Sequence, residues 1–423
     1  MSSDRLDVII FGASGYTGKC TVNEAVKILK DLNWGIAGRN KRKLYSVLEK
    51  TSQKVIQDLS KIPVFIADVN DEKSLLALVK QAKVIVNCCG PYRHFGEQVV
   101  KACIEASTHH VDLSEEPQFM ESMQLKYNDQ ARDKGIFIVS ACGFESIAAE
   151  MGMLFLESKF DGTVNSVETY LRMCSMKGGP AKGFGLHYGT WESAVHTMAH
   201  VDELRDIRKQ LCPIKTPLLT PELKERSALK SPVVNYRWTL PFSGPDRSVV
   251  DRSQRHFLDN DNKRPIHMRS YLVLDSLIHL IVAAFVALVF AVFSKFSTGQ
   301  KLLLTFPKFF TFGFVSHDGP AAKDNDDIKC ELTFSAQGWK EKSGAESDIP
   351  MNKTVTTQVV VKNPAYGAAC QAILLAGTTI LKENAKMPFH GGVFSPAAAF
   401  KDSSFIEDLK DIGWRFEIMR NHL

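Results

Sequence analysis

Near the start of the chain, glycines stand where a backbone could close on a phosphate. The apolar run Val8-Ile9-Ile10-Phe11 enters Gly12-Ala13-Ser14-Gly15-Tyr16-Thr17-Gly18 and continues into a helix-like stretch from Cys20 to Leu29. A strand that feeds a helix through glycines brings unpaired N–H groups and the positive end of the helix dipole up to a pyrophosphate. In this reading Gly12 allows the tight turn, Gly15 lets the backbone approach the phosphates and Gly18 lets helix and strand pack. Ser14, Tyr16 and Thr17 complete the cradle. The spacing by itself also fits a structural turn; its place after an apolar strand favours nucleotide binding.

The second strand candidate, Trp34-Gly35-Ile36-Ala37, ends in Gly38-Arg39-Asn40-Lys41-Arg42-Lys43. Enzymes that take NAD carry Asp or Glu there for the ribose hydroxyls, and an acid would repel a 2′-phosphate. Arg39 offers a bidentate, permanently charged partner for one. Cations at a helix N-terminus oppose the macrodipole, so this run suits a bound anion better than a solvated first turn. NADP(H) is therefore expected rather than NAD(H).

These groups need a scaffold, and the pattern supplies one. Val64 to Ala67 reads as a third strand, with Asp68 placed to meet an adenine amino group or to cap the next helix near Asn70. Val84 to Asn87 is a fourth and runs into Cys88-Cys89-Gly90-Pro91-Tyr92, with a helix from Gly96 to Glu105; Cys89, Gly90 and Pro91 join the cofactor-binding candidates. His110 to Leu113 and Ile136 to Val139 are the fifth and sixth, with His109-His110 flanking the start of the fifth and Ser140 to Phe144 following the sixth. Strands alternating with helices predict a doubly wound parallel sheet, with ligands beyond the carboxyl ends of the strands.

The 423 residues suffice for two or three domains, and a net charge of +5 without a polybasic block argues against nucleic acid. The 9 cysteines lack a disulfide-like spacing and read as reduced thiols of a cytosolic protein. No metal-ligand spacing occurs, so no metal is expected. Met1 to Arg5 runs straight into the first strand without the pattern of a signal peptide.

One segment is unusual. Leu277 to Phe293 is apolar except for His279, and Leu302 to Phe314 follows with Pro307, Lys308 and several phenylalanines. The first stretch approaches bilayer-spanning length, the second suits an interface, and a buried core helix is the alternative reading of the first.

Beyond Ser146 the pattern changes. Ile147 to Ser158 reads as a helix, Val164 to Met173 as a strand, Gly178 to Gly183 as a loop, and His187 to Ser193 as the start of a helix capped by Thr190. Residues 212 to 232 read as a surface loop. Val233 to Thr239, Ser248 to Val250, Ile328 to Ser335 and Lys353 to Val361 read as strands, with 337–352 as a hairpin loop. Together they predict a second α+β domain with a mainly antiparallel sheet. Pro364 to Lys382 reads as a long apolar helix, Ser404 to Ile412 as a shorter one and Trp414 to Ile418 as a last strand.

The combination of 11–18, Ala37-Gly38-Arg39, Asn87 to Tyr92, Gly143-Phe144-Glu145-Ser146-Ile147 and Gly391-Gly392-Val393-Phe394-Ser395-Pro396 resembles the saccharopine dehydrogenase-like oxidoreductases, in their animal form, over essentially the whole chain. The resemblance implies a Rossmann domain (1–145) and a second α+β substrate and dimerisation domain (146–363) containing the apolar insert 277–314. It also implies a C-terminal helical segment (364–423) that folds back on the first domain, a small-molecule substrate and association with lipid droplets. A homodimer stays open. Where the family shows Gly-Phe-Asp-Ser-Ile-Pro and then Asp, this chain has Glu145, Ala148 and Glu150, and a Ser-Gly-Glu run is Ser114-Glu115-Glu116 here. These departures bear on substrate binding and leave the cofactor turn intact.

If 364–423 packs on the first domain, a single crossing at 277–293 would separate the two. The expected arrangement is a monotopic anchor on the cytosolic face of a lipid droplet, with the endoplasmic reticulum or another membrane as the alternative. Lys295, Lys301 and Lys308 would reach headgroups. For catalysis the candidates are Tyr92, Glu145 and His187, none of them in a Tyr-x-x-x-Lys pattern, with hydride transfer placed near Gly90-Pro91-Tyr92 and Gly143-Phe144. Saccharopine itself fits poorly, because a highly charged adduct gains nothing from an apolar anchor. Two classes follow: an NADP(H)-dependent oxidoreductase acting on a lipid-related substrate, or a cofactor-binding scaffold or redox sensor without turnover.

Overall fold

Short apolar runs separated by amphipathic helices build the first half of the computed structural model, which describes residues 5–181, 185–213, 220–242, 244–319, 327–341 and 349–419. In order come β1 (Leu6–Phe11), α1 (Tyr16–Ile28), β2 (Trp34–Gly38), α2 (Lys41–Val55), β3 (Val64–Ile66), α3 (Glu72–Val79), β4 (Ala82–Asn87), α4 (Tyr92–Ala106), β5 (His109–Asp112), α5 (Pro117–Asp133), β6 (Phe137–Val139) and α6 (Phe144–Phe160). β1 and β4 are nearly continuous in Val and Ile, as strands covered on both faces must be.

All strands of this sheet are parallel, in the order β15-β6-β5-β4-β1-β2-β3, where β15 (Gly392–Phe394) arrives from the C-terminal segment. The connections reverse between β1 and β4, which opens a crevice beyond their carboxyl ends. Register makes those ends level. Phe11 pairs with both Ala37 and Asn87, Asn87 with Asp112, and Val111 with Val139. The residues after these strands, at 12, 39, 88, 113 and 140, therefore form one rim.

The second sheet takes the order β16-β14-β13-β7-β11-β10-β9. Its strands are β7 (Thr163–Ser175), β9 (Leu229–Ser231), β10 (Arg237–Pro241), β11 (His267–Leu274), β13 (Ile328–Trp339), β14 (Lys353–Lys362) and β16 (Arg415–Met419). Only the β7–β11 pair is parallel. Between these strands lie β8 (Leu186–His187), α7 (Tyr188–Ala199), α8 (Val201–Leu211), α9 (Pro245–Asp261), α10 (Leu277–Phe293), α11 (Ser297–Thr305), α12 (Pro307–Phe310) and β12 (Val315–Ser316). The chain ends with α13 (Ala369–Glu383), β15, α14 (Pro396–Phe400), α15 (Phe405–Asp411) and β16. α13 is buried against α1, β4 and β5, whereas β16 pairs with β14, so this last segment touches both sheets.

Several expectations are corrected. Ser248 to Val250 lies inside α9, because Pro245 and Asp246 open a helix after Gly244. The strand expected over Val233 to Thr239 is a 3-10 turn, Pro232–Val234, followed by β10. α7 is capped by His187, whose Nδ1 accepts from Gly189 N at 3.0 Å, rather than by Thr190. α3 is capped by Asp71, not Asp68. His109 and His110 lie within β5. Pro364–Ala368 forms a π-helical turn ahead of α13. Parts of the expected loops, at 182–184, 214–219 and 342–348, lie outside the described residues.

Candidate functional site

The glycine turn is built by contacts that exclude side chains. Gly12 has φ +82°, and a Cβ there would stand 2.7 Å from Cys89 Sγ; one on Gly18 would stand 2.2 Å from the Gly12 carbonyl oxygen. Gly12 and Ala13 donate to the Ala37 carbonyl at 3.0 and 3.1 Å, and Gly15 donates to Gly12 O at 2.9 Å. Gly15 is the N-cap of α1 but offers no capping side chain, and the first turn holds no acid. Its N–H groups thus point past the strand ends with no built-in anion, which fits a phosphate. Ser14 Oγ faces Gly38, and the Thr17 carbonyl is taken by Thr21 Oγ1 at 3.0 Å.

The rest of the rim converges on this turn. Arg39 follows β2 at an exposed position, while Asn40 accepts from Lys43 N at 3.0 Å and caps α2. Asp68, after β3, accepts from Asn70 N at 3.0 Å and Nδ2 at 3.3 Å. Arg39 and Asp68 both lie close enough to Cys89 to act on its thiol, which burial pushes up. Cys89 N donates to Asn87 Oδ1 at 3.0 Å, and burial likewise pushes Cys88 up to about 12, so both are thiols rather than thiolates. Gly90 lies against the Tyr92 ring, and Pro91 is the N-cap of α4.

Tyr92 is removed as a catalytic candidate. Its buried hydroxyl donates to Asn87 O at 2.9 Å and accepts from Leu113 N at 3.1 Å, clamping β4 to β5 with no capacity left for a substrate. Tyr92→Phe should cost about 1–3 kcal/mol, because it strands a buried N–H and carbonyl. It should leave the NADPH Kd unchanged, which denaturant unfolding and a nucleotide titration would check.

On the far side of the crevice the ends of β5 and β6 carry carboxyl groups. Asp112 accepts from Ser114 N at 2.9 Å, Ala141 N at 3.2 Å and Ser140 Oγ at 2.8 Å, and burial pushes it up to about 6. Glu116 caps α4, accepting from Tyr92 N at 2.9 Å and Arg93 N at 2.8 Å, with Ser193 Oγ at 2.8 Å. Glu115 and Glu145 meet Asp246 from α9. A Cβ on Gly244 would stand 2.8 Å from Asp246 Oδ1 and 3.0 Å from Glu145 Oε1, so these oxygens face one small space. Both are buried with no partner among the described residues. Asp246 Oδ2 accepts from Ser270 Oγ at 3.1 Å.

Burial raises all three, and repulsion adds to it: Asp246 acts on Glu115 and Glu145, Glu115 on Glu145, and Asp251 on Asp246. Glu115 is pushed up to about 7, Asp246 to about 6 and Glu145 well above the carboxylate range. Protons are therefore held beside the rim at neutral pH. Of the sequence candidates only Glu145 belongs to this cluster. Asp246 was missed with the helix that carries it, although the Gly-Pro-Asp opening was the available signal. His187 lies elsewhere: its ring stacks on Tyr16 at 4.8 Å and its N–H donates to Tyr366 OH at 2.8 Å, and burial with nearby His317 lowers its pKa. A hollow lined by Leu6, Asn33, Trp34 and Pro63 lies at the amino ends of the strands, opposite the rim. Among the described residues no group of His, Cys, Asp or Glu side chains is placed to hold a metal.

Comparisons with known proteins agree with this geometry. Residues 8–139 match the saccharopine dehydrogenase NADP binding domain, which assigns NADP(H) as the cofactor class. The human saccharopine dehydrogenase-like oxidoreductase is 37% identical over 420 residues, covering 97% of each chain. A Caenorhabditis elegans relative named lipid droplet localized protein is 33% identical over 98% of each chain. An Arabidopsis thaliana relative, named as a probable mitochondrial member, is 29% identical over 98% of this chain and 96% of its own. Among solved structures, apo saccharopine dehydrogenase (L-Glu forming) from Saccharomyces cerevisiae shares the fold, with a TM-score of 0.55 at 12% identity, covering 98% of this chain and 100% of that one. The chain belongs to the saccharopine dehydrogenase-like oxidoreductase family.

Proposed function

We propose that the protein is an NADP(H)-dependent oxidoreductase that works at the surface of a lipid droplet, or of another membrane, on a substrate drawn from the lipid. The observation that carries this reading is an apolar hairpin on the same body as the glycine turn. In α10 only Leu280 is buried, while Ile278 is 72% and Leu288 63% exposed. Phe309 is 77% exposed and Phe312 also faces solvent. A core helix would hide these side chains, so the alternative of a buried helix is set aside. Phe293 packs on Phe310 at 5.3 Å, which folds the two stretches together. The helix of the described residues long and apolar enough to cross a membrane, Pro364–Lys386, has 78% of its apolar window buried. An anchor lying in one leaflet fits this arrangement better than a crossing. The name of the worm relative points the same way.

In this reading the first turn of α1 holds the pyrophosphate, Arg39 takes the 2′-phosphate, and Cys89 to Pro91 floor the nicotinamide side. NADPH supplies a hydride when bound. Glu145 and Asp246 hold a proton close to the rim, where the oxygen of a carbonyl group needs one as its carbon accepts hydride. Glu115 keeps that proton in place by repulsion. Proton-bearing acids with no guanidinium paired to them among the described residues suit a neutral substrate better than a dicarboxylate.

Deleting 277–314 and joining its ends should move the protein from the floating lipid fraction to the soluble one, while NADPH binding by the purified chain persists. Undiminished flotation of the deletion variant would overturn the anchor.

A further inference from the structure

The chain returns from the apolar hairpin directly onto the glycine turn. Three residues after the exposed Phe312 begins β12, which pairs in parallel with β8: Val315 lies beside Leu186 and Ser316 beside His187, and Leu186 N donates to Phe314 O at 2.9 Å. The base of this clasp is held by Thr311, whose Oγ1 donates to Pro307 O at 2.8 Å and accepts from Val315 N at 2.9 Å. Tyr188 and His317 stack across it at 4.1 Å. His187 of β8 and Gly319, three residues beyond β12, then grip one side chain of the nucleotide site. The His187 ring lies on Tyr16 at 4.8 Å, and Gly319 sits so close that a Cβ there would stand 2.7 Å from the Tyr16 ring. Tyr366 closes the slot at 4.6 Å.

A second path reaches the same residue. Trp191 of α7 donates from Nε1 to Leu303 O of α11 at 2.9 Å, and its ring packs on Phe290 of α10 at 5.0 Å. α7 is N-capped by His187, the residue stacked on Tyr16. The hairpin thus meets Tyr16 both through β12 and through Trp191, α7 and β8. Tyr16 is the first residue of α1, so the placement of its ring fixes the first turn that carries the phosphate-binding N–H groups.

A ladder of two residues is marginal by itself, since each backbone hydrogen bond contributes only about 1 kcal/mol net. Fixing α11 and α12 in a lipid layer lowers the entropic cost of keeping the clasp closed, and a closed clasp presents an ordered turn to the dinucleotide. We infer that lipid-surface binding by the hairpin and NADP(H) binding at the glycine turn strengthen each other through the β8–β12 clasp on Tyr16. His187 is then a positioning residue. This inference rests on the lipid-surface reading above, and linkage requires the effect to run equally in both directions.

The test uses the full chain, a triolein emulsion coated with phosphatidylcholine, and equilibrium dialysis of NADPH. Flotation is measured on the same samples. With emulsion present the NADPH Kd should fall about tenfold, within the usual span of coupling between sites. Hydrogen exchange at Leu186 and Val315 should slow on adding emulsion alone. Val315→Pro, which removes the N–H given to Thr311, should still float and still bind NADPH, with a Kd that no longer responds to emulsion. Flotation of the wild type with an unchanged Kd overturns the coupling and leaves the lipid reading standing. A response that survives in Val315→Pro, with no change in exchange at the clasp, overturns the clasp as its route. Failure of the wild type to float overturns the lipid reading and the coupling with it.

Discussion

Arg39→Glu is expected to weaken NADPH binding about 10- to 100-fold, while NADH binding changes little or improves. The guanidinium stands at the end of β2, next to the glycine turn in register and near Cys89. Asn40, not Arg39, caps the helix that follows. Arg39 is therefore not needed for local structure, and its loss should be felt by the ligand. A charge-assisted hydrogen bond is worth about 1.5–3 kcal/mol, which sets the size of the effect, and the introduced carboxylate repels a phosphate while accepting from ribose hydroxyls. Parallel titrations of both nucleotides by protein fluorescence would measure it. An unchanged preference would place the 2′-phosphate on Lys41, Arg42 or Lys43 instead. Raising salt should weaken NADPH more than NADH in the wild type and erase that difference in the variant.

The cofactor half of the candidate site was legible in sequence because its determinants are local. Strand, turn and helix follow one another within the first thirty or so residues; Gly15 and Gly18 are required by contacts with Gly12 inside that unit, and Gly12 by its φ of +82° as well as by Cys89. The proton-holding half was not. Glu145 lies after β6 and Asp246 at the start of α9, and what joins them is the docking of the second sheet on the first. Nothing in the spacing of 145 and 246 encodes that meeting. The misreading of Ser248 to Val250 as a strand hid Asp246 further: three residues suit either structure, and the Pro245 signal had to outweigh the β-branched pair. β15 was missed for a related reason. It is three residues long, and it exists because β6 leaves an edge for Val393 and Phe394 to pair with. The clasp strands β8 and β12 are shorter still and carry no period.

Tyr92 and His187 show the limit of reading chemistry from residue type. Both have side chains able to move a proton, yet Tyr92 spends its hydroxyl on two backbone groups and His187 spends its ring on Tyr16 and a helix cap. Glu116 makes the converse point. It stands in a run of acids but acts as the trans cap of α4, with its carboxylate satisfied by Tyr92 N, Arg93 N and Ser193. Within that run only Glu115 faces the shared space with Glu145 and Asp246. Adjacent residues thus divide between building the rim and storing charge at it.

That stored charge has a measurable cost, and Asp246→Asn should expose it. Asp246 is 4% exposed, and burial lifts its carboxyl from 3.8 to about 6, opposed by the Arg247 N–H and Ser270. A folded value above the unfolded one means that the group's contribution is fully present below about pH 4, falls through the interval between the two values, and is lost above about pH 6. At pH 8 the wild type therefore carries a penalty of about 3 kcal/mol at most from this group, part of it shared with Glu115 and Glu145, whose carboxyls its charge raises. Asparagine is nearly isosteric, keeps an oxygen for Ser270 and carries no charge. The variant should match the wild type near pH 4, exceed it progressively up to about pH 6 and keep that lead to pH 8, with a Tm gain of several degrees on the plateau. Chemical denaturation at matched pH values would measure the same divergence. A stability difference that stays flat across the range would mean that burial does not hold Asp246 proton-bearing, and the proton assigned to the rim would have to reside on Glu145 alone.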